Sequence, residues 1–272
     1  MDMTISGIFT YPVKSLGGIA LNESLVEARG LAFDRRWVIV DDQGVFLSQR
    51  ELPQMALLQP AFVTVHTMRL INRANPEQEP LMIELYPVTS VQHSEWVQVW
   101  EDHCQAVFID QAADKWLSKA LGQPCRLAYM PDYSIRPVDA KYGREGDKVS
   151  FADGYPCLII GQASLDDLNK QLHEPVPMNR FRPNIVFEGG APFEEDQWQH
   201  IRIGEVDFRS VKPCARCEMT TINQATSQRG KEPLATLAQY RRQGHKVLFG
   251  MNLCPNNEGI IRVGDSLIST IF

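Results

Sequence analysis

The sequence has no hydrophobic run of the roughly 18 apolar residues that a membrane-spanning helix needs. The segment from Met1 to Leu16 has no basic start, apolar stretch or small-residue cleavage site, so it does not predict a secretory signal. Basic residues are also few: 27 Lys and Arg stand against 33 Asp and Glu, a net charge of −6 that argues against a general nucleic-acid-binding protein. We therefore expect a cytoplasmic protein with neither a membrane nor a nucleic-acid partner.

Cysteine is scarce as well, because six in 272 residues are too few for a disulfide framework. We expect these thiols to be reduced. Neither G-x-G-x-x-G nor G-x-x-x-x-G-K-[ST] occurs, so a dinucleotide-binding fold or a P-loop nucleotide site has no support. What the sequence does contain is an ordinary globular composition, with 44% hydrophobic and 22% charged residues, which is enough apolar material for a substantial core.

Short segments of alternating polarity predict a mainly β (α+β) fold, a barrel or sandwich rather than an alternating βαβ chain. One pair of these segments flanks Asp41-Asp42-Gln43-Gly44, which is a good hairpin signal because glycine tolerates positive φ. The predicted strands are residues 4–11, 36–40, 45–47, 96–100, 104–109, 246–248, 259–263 and 266–271.

Three helices are predicted from capping residues and apolar periodicity. Asp110 and Gly122 are expected to bound the first, over residues 111–121. Ser164, with Asp167 three residues later, resembles a capping box that opens the second, over 165–172. Pro233 is expected to begin the third, over 234–242.

Residues 128–149 are rich in turn-forming and charged residues and have little apolar periodicity. This stretch is either a boundary between two domains, 1–125 and 126–272, or a long surface loop inside one domain. We predict the two-domain arrangement.

Cys214 and Cys217 form a C-x-x-C pair beside Lys212 and Arg216. Two thiols among cations suit a soft metal or thiol chemistry. A zinc site would need two further ligands, and the other cysteines and histidines lack the usual paired spacing. A thioredoxin-like pair would need a βαβ context. Spacing alone leaves zinc, redox chemistry, another metal, a nucleophile and inert buried thiols open.

Two further clusters offer cations to an anion. Arg180 and Arg182 precede Pro183 and are expected in an extended segment with both side chains on one face, where their guanidinium groups suit phosphate or carboxylate. Lys14 and Ser15 follow the first predicted strand and offer an ammonium and a hydroxyl. The alternative for both clusters is an ordinary solvated surface.

Arg35 and Arg36 open another predicted strand, in which neighbouring side chains point to opposite faces. Only one of the two can therefore face a pocket.

These clusters belong to a set of motifs that resembles the MOSC-domain proteins, in particular the group that contains the mitochondrial amidoxime-reducing component and its bacterial relatives. The resemblance extends over nearly the whole chain, and the motifs occur in the family's order. They are YPVKS at 11–15, DRRW at 34–37, KYGREGD at 141–147, FADGYP at 151–156, ASLDDLN at 163–169, FRPNI at 181–185, KPCARC at 212–217 and VGD at 263–265.

The resemblance implies a molybdenum cofactor (Mo-molybdopterin) held between an N-terminal β domain and a MOSC β-barrel. Its metal-binding and catalytic cysteine matches Cys217, with Cys214 as a neighbour, although the reverse assignment stays open. Asp153 matches a residue in a turn that contacts the pterin, where its carboxylate would accept hydrogen bonds from pterin N–H groups. The cofactor-binding residues implied are Lys14, Ser15, Arg35, Asp153, Gly154, Tyr155, Asn179, Arg180, Arg182, Pro213, Cys214, Ala215 and Arg216.

The activity that the resemblance implies is reduction of N-hydroxylated compounds, such as amidoximes, hydroxylamines and N-hydroxylated bases. The membrane anchor of the mitochondrial members and the ferredoxin-like domain of some bacterial relatives have no counterpart in this sequence. We therefore expect electrons from a separate ferredoxin- or flavodoxin-like protein. The alternative function is a cofactor carrier or sulfur-delivery module with a cysteine persulfide.

Overall fold

The computed structural model describes residues 2–271, and their mainly β (α+β) fold confirms the predicted class. No helix within that range has the length and apolar character to span a membrane. The strands are β1 Thr4–Thr10, β2 Ile19–Leu21, β3 Glu23–Glu27, β4 Gly30–Leu31, β5 Trp37–Val40, β6 Leu58–Phe62, β7 Thr67–Asn72, β8 Leu81–Glu84, β9 Glu95–Val99, β10 Asp102–Phe108, β11 Arg126–Tyr129, β12 Cys157–Gly161, β13 Ile185–Glu188, β14 Trp198–Ile203, β15 Val206–Arg216, β16 Arg242–Gln243, β17 Lys246–Pro255, β18 Gly259–Arg262 and β19 Leu267–Ile271, and the helices are α1 Gln111–Leu121, α2 Gln162–Gln171 and α3 Leu234–Tyr240.

The largest sheet has the strand order β19-β14-β15-β17-β12-β13-β1-β2, with β16 paired to β17. Its neighbours pair antiparallel except β12 and β13, which run parallel and are joined through α2. A parallel pair needs such a crossover, and the wholly buried sequence CLIIG of β12 is typical of a strand covered on both faces. Three smaller sheets have the orders β5-β11-β10-β9, β18-β3-β4 and β6-β7-β8.

The first strands of the chain pair with strands from its second half. β1 is antiparallel to β13, with Ile8 opposite Ile185, and β3 is antiparallel to β18. The end of β1 therefore lies beside the start of β13. This pairing crosses the predicted division at 125/126, which itself stays a prediction.

Two large apolar clusters form most of the core. One packs under the largest sheet around Trp198 and Phe187, whose ring centroids are 4.9 Å apart. The other surrounds Trp37 and includes the buried face of α1, with Ala113 and Leu117. Between β11 and β12, residues 130–156 form a long irregular segment that contributes to a cavity described below.

The prediction for α1 is confirmed at both ends. Asp110 accepts a hydrogen bond from the Ala113 amide at 2.8 Å, and Gly122 ends the helix with φ 74°. Both capping residues are adjacent to the helix in sequence, which is why its two ends could be predicted from the sequence.

The predicted start of α2 was wrong by three residues. The helix begins at Gln162, and Ser164 lies inside its first turn rather than capping it. The buried carboxylate of Glu195 accepts hydrogen bonds from the Gly161 amide at 3.2 Å and from the Ser164 hydroxyl at 2.9 Å. The group that accepts these hydrogen bonds thus comes from the distant 3-10 helix Glu194–Gln197.

The predicted end of α3 was also wrong. The helix stops at Tyr240, because Arg242 and Gln243 pair with β17 as the short strand β16. Residues 45–47 were predicted as a strand and contribute only isolated bridges, whereas the strand predicted at 246–248 continues to Pro255.

Replacing Glu195 should destabilise the fold. In Glu195→Ala, the Gly161 amide and Ser164 hydroxyl would lose their acceptor inside the protein, and each buried group left unsatisfied costs about 1–3 kcal/mol. We expect the free energy of unfolding to fall by about 2–4 kcal/mol, measured by urea denaturation. Glu195→Gln retains an acceptor and should lose less. A loss no larger for Ala than for Gln would contradict this role.

Candidate functional site

A cavity of about 620 Å³ lies where several strand ends meet. Its walls come from residues that follow β1, precede β13 and end β15, together with part of the segment 130–156. Seven lysine and arginine residues line it, compared with three aspartates, although the overall charge of the protein is negative. The cations are Lys14, Arg35, Arg136, Arg180, Arg182, Lys212 and Arg216, and the aspartates are Asp102, Asp139 and Asp153.

The cavity brings together twelve of the fourteen residues predicted from the sequence. Asn179 and Pro213 are the two that do not line it. Asn179 lies in a short 3-10 helix, and Pro213 lies within β15 opposite Met251. The remaining twelve are Lys14, Ser15, Arg35, Asp153, Gly154, Tyr155, Arg180, Arg182, Cys214, Ala215, Arg216 and Cys217.

The two cysteines lie at the end of strand β15, with Cys214 inside the strand and Cys217 directly after it. The strand's pairing with β17 shifts register on both sides of Pro213, and such bulges redirect side chains near sites. The Cys214 thiol accepts a hydrogen bond from Arg216 Nη1 at 3.1 Å. Cys217 follows the strand directly, and its Sγ accepts from Arg50 Nη2 at 3.3 Å. Both cysteines are partly exposed, whereas the other four are buried.

Arg35 is held by a buried polar network. Its Nη1 donates to Asp34 Oδ2 at 2.5 Å and to Asn184 Oδ1 at 3.1 Å. Asp34 Oδ1 accepts from the Tyr11 amide at 2.8 Å and from Asn184 Nδ2 at 3.0 Å. Arg36 does not line the cavity and pairs with Asp132, so only one of the two arginines faces the pocket, as predicted. The predicted reason was wrong, because both residues precede β5 and Arg35 has φ 49° rather than an extended conformation.

Arg182 shares the ring of Tyr11 with Arg35. The two guanidinium carbons lie 4.3 Å and 4.4 Å from the ring centroid, so this buried ring lies against both cations. Burial raises the pKa of Tyr11 to about 12 and lowers the pKa of Arg182 to about 10. The ring therefore stays neutral and supplies its π electrons to two cations that would otherwise only repel each other.

The expectation that Arg180 and Arg182 lie in one extended segment was wrong. Arg180 ends the 3-10 helix Met178–Arg180, and Arg182 has φ 55°. Arg180 donates to the carbonyls of Thr220 and Glu232, both at 2.8 Å. It therefore binds the backbone just after Cys217, while Arg182 donates to the Leu16 carbonyl beside Ser15.

The turn that carries Asp153 is held from two sides. Lys14 Nζ donates to the Phe151 carbonyl at 2.8 Å and pairs with Asp153 Oδ1 at 2.6 Å. Arg136 donates to the carbonyls of Ser150 and Ala152. The ammonium of Lys14, together with Arg50 and the indole N–H of Trp100, holds the pKa of the Asp153 carboxyl well below its ordinary value. Asp153 is therefore an ionised acceptor, already engaged by Lys14.

Several residues that contact this site were not predicted from the sequence. Arg50, beside Cys217, also stacks on Trp100, with 4.6 Å between the guanidinium carbon and the ring centroid. Lys212 lies over Tyr142 at 4.4 Å and Tyr155 at 5.2 Å. No local pattern marked Arg50 or Trp100, whereas Asp34 and Asn184 stood inside the motifs DRRW and FRPNI without being assigned a role.

Backbone strain concentrates at this site. Among the described residues, seven other than glycine have positive φ; three of them line the cavity, and a fourth, Trp100, contacts the lining residue Asp153. Such conformations persist where surrounding contacts enforce them, and they cluster at functional sites. The four are Ser15 at 67°, Arg35 at 49°, Trp100 at 57° and Arg182 at 55°.

Comparison with known families matches both halves of the chain. The MOSC N-terminal beta barrel domain matches residues 2–124, and the MOSC domain matches residues 146–268. Mitochondrial amidoxime-reducing component 1 of Mus musculus is 32% identical over 283 residues, covering 96% of this chain and 81% of that protein. The Homo sapiens protein of the same name is 32% identical over 280 residues, with the same coverage of both chains.

A second group of relatives is much longer. Molybdenum cofactor sulfurase of Oryza sativa subsp. japonica is 31% identical over 269 residues, which cover 93% of this chain and 32% of that protein. The chain thus spans about a third of the length of that relative.

The apoprotein should show a pH dependence that comes from Lys14. Burial lowers the pKa of its ammonium from 10.5 to about 8, although Asp153 acts in the opposite direction. Between these values the unfolded chain binds more protons than the folded one, so Lys14 makes stability rise with pH. We expect wild type to gain up to about 3 kcal/mol relative to Lys14→Met between pH 8 and 10.5, measured by urea denaturation. A difference that stays constant across this range would show that Lys14 titrates normally.

Proposed function

Since the chain belongs to the family of MOSC-domain proteins, we propose that it is a molybdenum-cofactor-dependent reductase of N-hydroxylated compounds. The substrates would be amidoximes, hydroxylamines and N-hydroxylated bases. The name of the mouse and human relatives, mitochondrial amidoxime-reducing component 1, supports the amidoxime class. The observation that carries the proposal is the Cys217 thiol at a cavity lined by seven cations.

The residues present fit this cofactor in three respects. A thiol is the soft ligand that molybdenum favours. A cationic surplus suits the cofactor's phosphate, and guanidinium groups match phosphate geometry. Finally, Arg216 Nε is buried without a hydrogen-bond partner inside the protein, which leaves a donor at the cavity for a ligand.

In this proposal, Cys217 binds the metal and the remaining metal ligands belong to the cofactor. Ser15, Arg35 and Arg182 would bind the phosphate from the strained segments that hold them beside the cavity. Gly154 and Tyr155 would contact the pterin. When bound, the cofactor supplies two-electron redox chemistry coupled to oxygen-atom transfer.

The chain's own groups then have distinct tasks. Arg50 holds the Cys217 sulfur in place from the side, and Arg180 fixes the backbone that follows it. Asp153 stays ionised beside Lys14 and therefore acts as an acceptor rather than an acid. The overall conversion of N–OH to N–H consumes two electrons and two protons and releases water.

A carrier or sulfur-delivery module with a persulfide on Cys217 or Cys214 is the second candidate. The favouring observation is that both thiols line the same cavity, and one group of relatives is named molybdenum cofactor sulfurase. Metal analysis combined with an assay separates the two candidates. Stoichiometric molybdenum with reduction of an N-hydroxylated substrate supports the reductase, whereas molybdenum without turnover, or cyanide-releasable sulfur without molybdenum, supports the carrier or sulfur-delivery module.

Substituting the two cysteines should have unequal effects. Cys217→Ser replaces the proposed metal-binding thiolate with a neutral hydroxyl, a poor ligand for a soft metal. We expect retained molybdenum to fall at least about tenfold, since even outer-shell substitutions at metal sites cost that much. Cys214→Ser is the matched control and should retain most of the metal. Metal content and circular dichroism of both variants provide the measurement. A larger loss in Cys214→Ser would reverse the assignment.

Electrons should reach the site from a separate ferredoxin- or flavodoxin-like protein. Docking of such carriers is weak and steered by charge, so turnover should fall as salt rises. The measurement is NADPH oxidation by the holoprotein and an N-hydroxylated substrate, with and without a flavodoxin and its reductase. Full-rate NADPH oxidation by the holoprotein alone would refute a separate carrier.

A further inference from the structure

Trp100 occupies a backbone position that does not suit it. Val99 pairs with Asp102, so Trp100 and Glu101 form the two-residue turn of the β9–β10 hairpin. Turns of this length favour glycine, asparagine or aspartate where φ is positive, and Trp100 has φ 57°. A bulky residue in this conformation costs stability, so the turn geometry alone does not explain the tryptophan.

Three contacts fix the indole in one orientation. Its Nε1 donates to Asp153 Oδ1 at 3.2 Å. The ring of Phe46 meets it nearly edge-on, with centroids 4.9 Å apart. The guanidinium carbon of Arg50 lies 4.6 Å from the indole centroid. The side chain is therefore rigid before any ligand arrives.

The same contacts place the indole next to the proposed metal ligand. Arg50 touches the ring and also donates to Cys217 Sγ at 3.3 Å, so a single side chain separates Trp100 from the thiol. Trp100 nevertheless remains 40% exposed. Trp100 does not itself line the cavity, but its contact with the lining residue Asp153 places this rigid and partly exposed aromatic surface at the cavity's edge.

We propose that Trp100 is a specificity-determining residue against which planar, conjugated N-hydroxylated substrates pack. Aromatic surfaces that are already ordered bind flat molecules at little entropic cost, and stacking discriminates flat molecules from small aliphatic ones. The inference rests on the proposed function and narrows its substrate class. Arg50 and Asp153 act here as positioning residues, because they hold the indole.

The test compares benzamidoxime, which is planar and aromatic, with N-methylhydroxylamine, which is small and aliphatic. Reduced benzyl viologen supplies electrons directly to the holoprotein, so no protein carrier affects the result. In Trp100→Gly, which suits the positive φ, we expect the ratio of kcat/KM for benzamidoxime to that for N-methylhydroxylamine to fall about tenfold, mainly through KM. Tenfold corresponds to about 1.4 kcal/mol, which lies within the range of aromatic stacking.

Two control variants separate specificity from folding. Trp100→Phe retains an aromatic ring and loses the hydrogen bond to Asp153, so the ratio should stay within about threefold of wild type. Trp96→Ala removes a 65% exposed tryptophan from the same hairpin and should leave the ratio unchanged. Calorimetric titration with benzamidine, which requires no turnover, should show binding weakened about tenfold in Trp100→Gly.

The outcomes distinguish this inference from the function on which it rests. Wild type that reduces neither compound refutes the proposed function. Wild type that reduces both, with an unchanged ratio in Trp100→Gly, refutes the inference alone. Equal loss for both compounds would also refute it, because it would show that Trp100 supports the site generally.

Discussion

Repulsion among like charges at one cavity is the constraint that the site must satisfy, and carboxylate and aromatic partners offset it. Arg35 has Asp34 and Asn184, and Lys14 has Asp153. The ring of Tyr11 lies against two guanidinium groups without adding a charge of its own. Arg180 has neither kind of partner and donates to two backbone carbonyls, and the cavity keeps a positive surplus for an anionic ligand. An acidic protein can hold an anion in this way because the charge is arranged locally.

The sheet topology explains why residues far apart in sequence meet at this cavity. Antiparallel pairing of β1 with β13 brings the chain after Thr10 next to the chain before Ile185, so Lys14 and Arg182 line one wall. Strand β15 ends nearby and supplies Cys217. Strand ends are positions where a backbone can leave the ladder and adopt positive φ, which Ser15 and Arg182 both do. Strand pairing therefore brings the site residues together, and the strained positive φ values of Ser15 and Arg182 occur in segments outside the strands.

Much of this could be predicted from the sequence, for reasons that differ between elements. Helix α1 was predictable because Asp110 and Gly122 cap it locally, whereas α2 begins at an end bound by Glu195, 34 residues from Gly161. The family resemblance indicated the residues inside motifs, and most of these line one cavity, while their roles stay predictions. Arg50 was not, because its partner Cys217 lies 167 residues away and neither neighbourhood indicates the contact. The domain division and the identity of the bound group stay predictions.

The central claim is that Cys217 binds molybdenum in this cationic cavity. The most direct measurement is a crystal structure of protein purified from a molybdate-supplied host, with diffraction data collected on both sides of the molybdenum absorption edge. We predict one anomalous peak within bonding distance of Cys217 Sγ, with cofactor density extending toward Arg35 and Arg182. A molybdenum peak bonded to Cys214, or one outside this cavity, would contradict it.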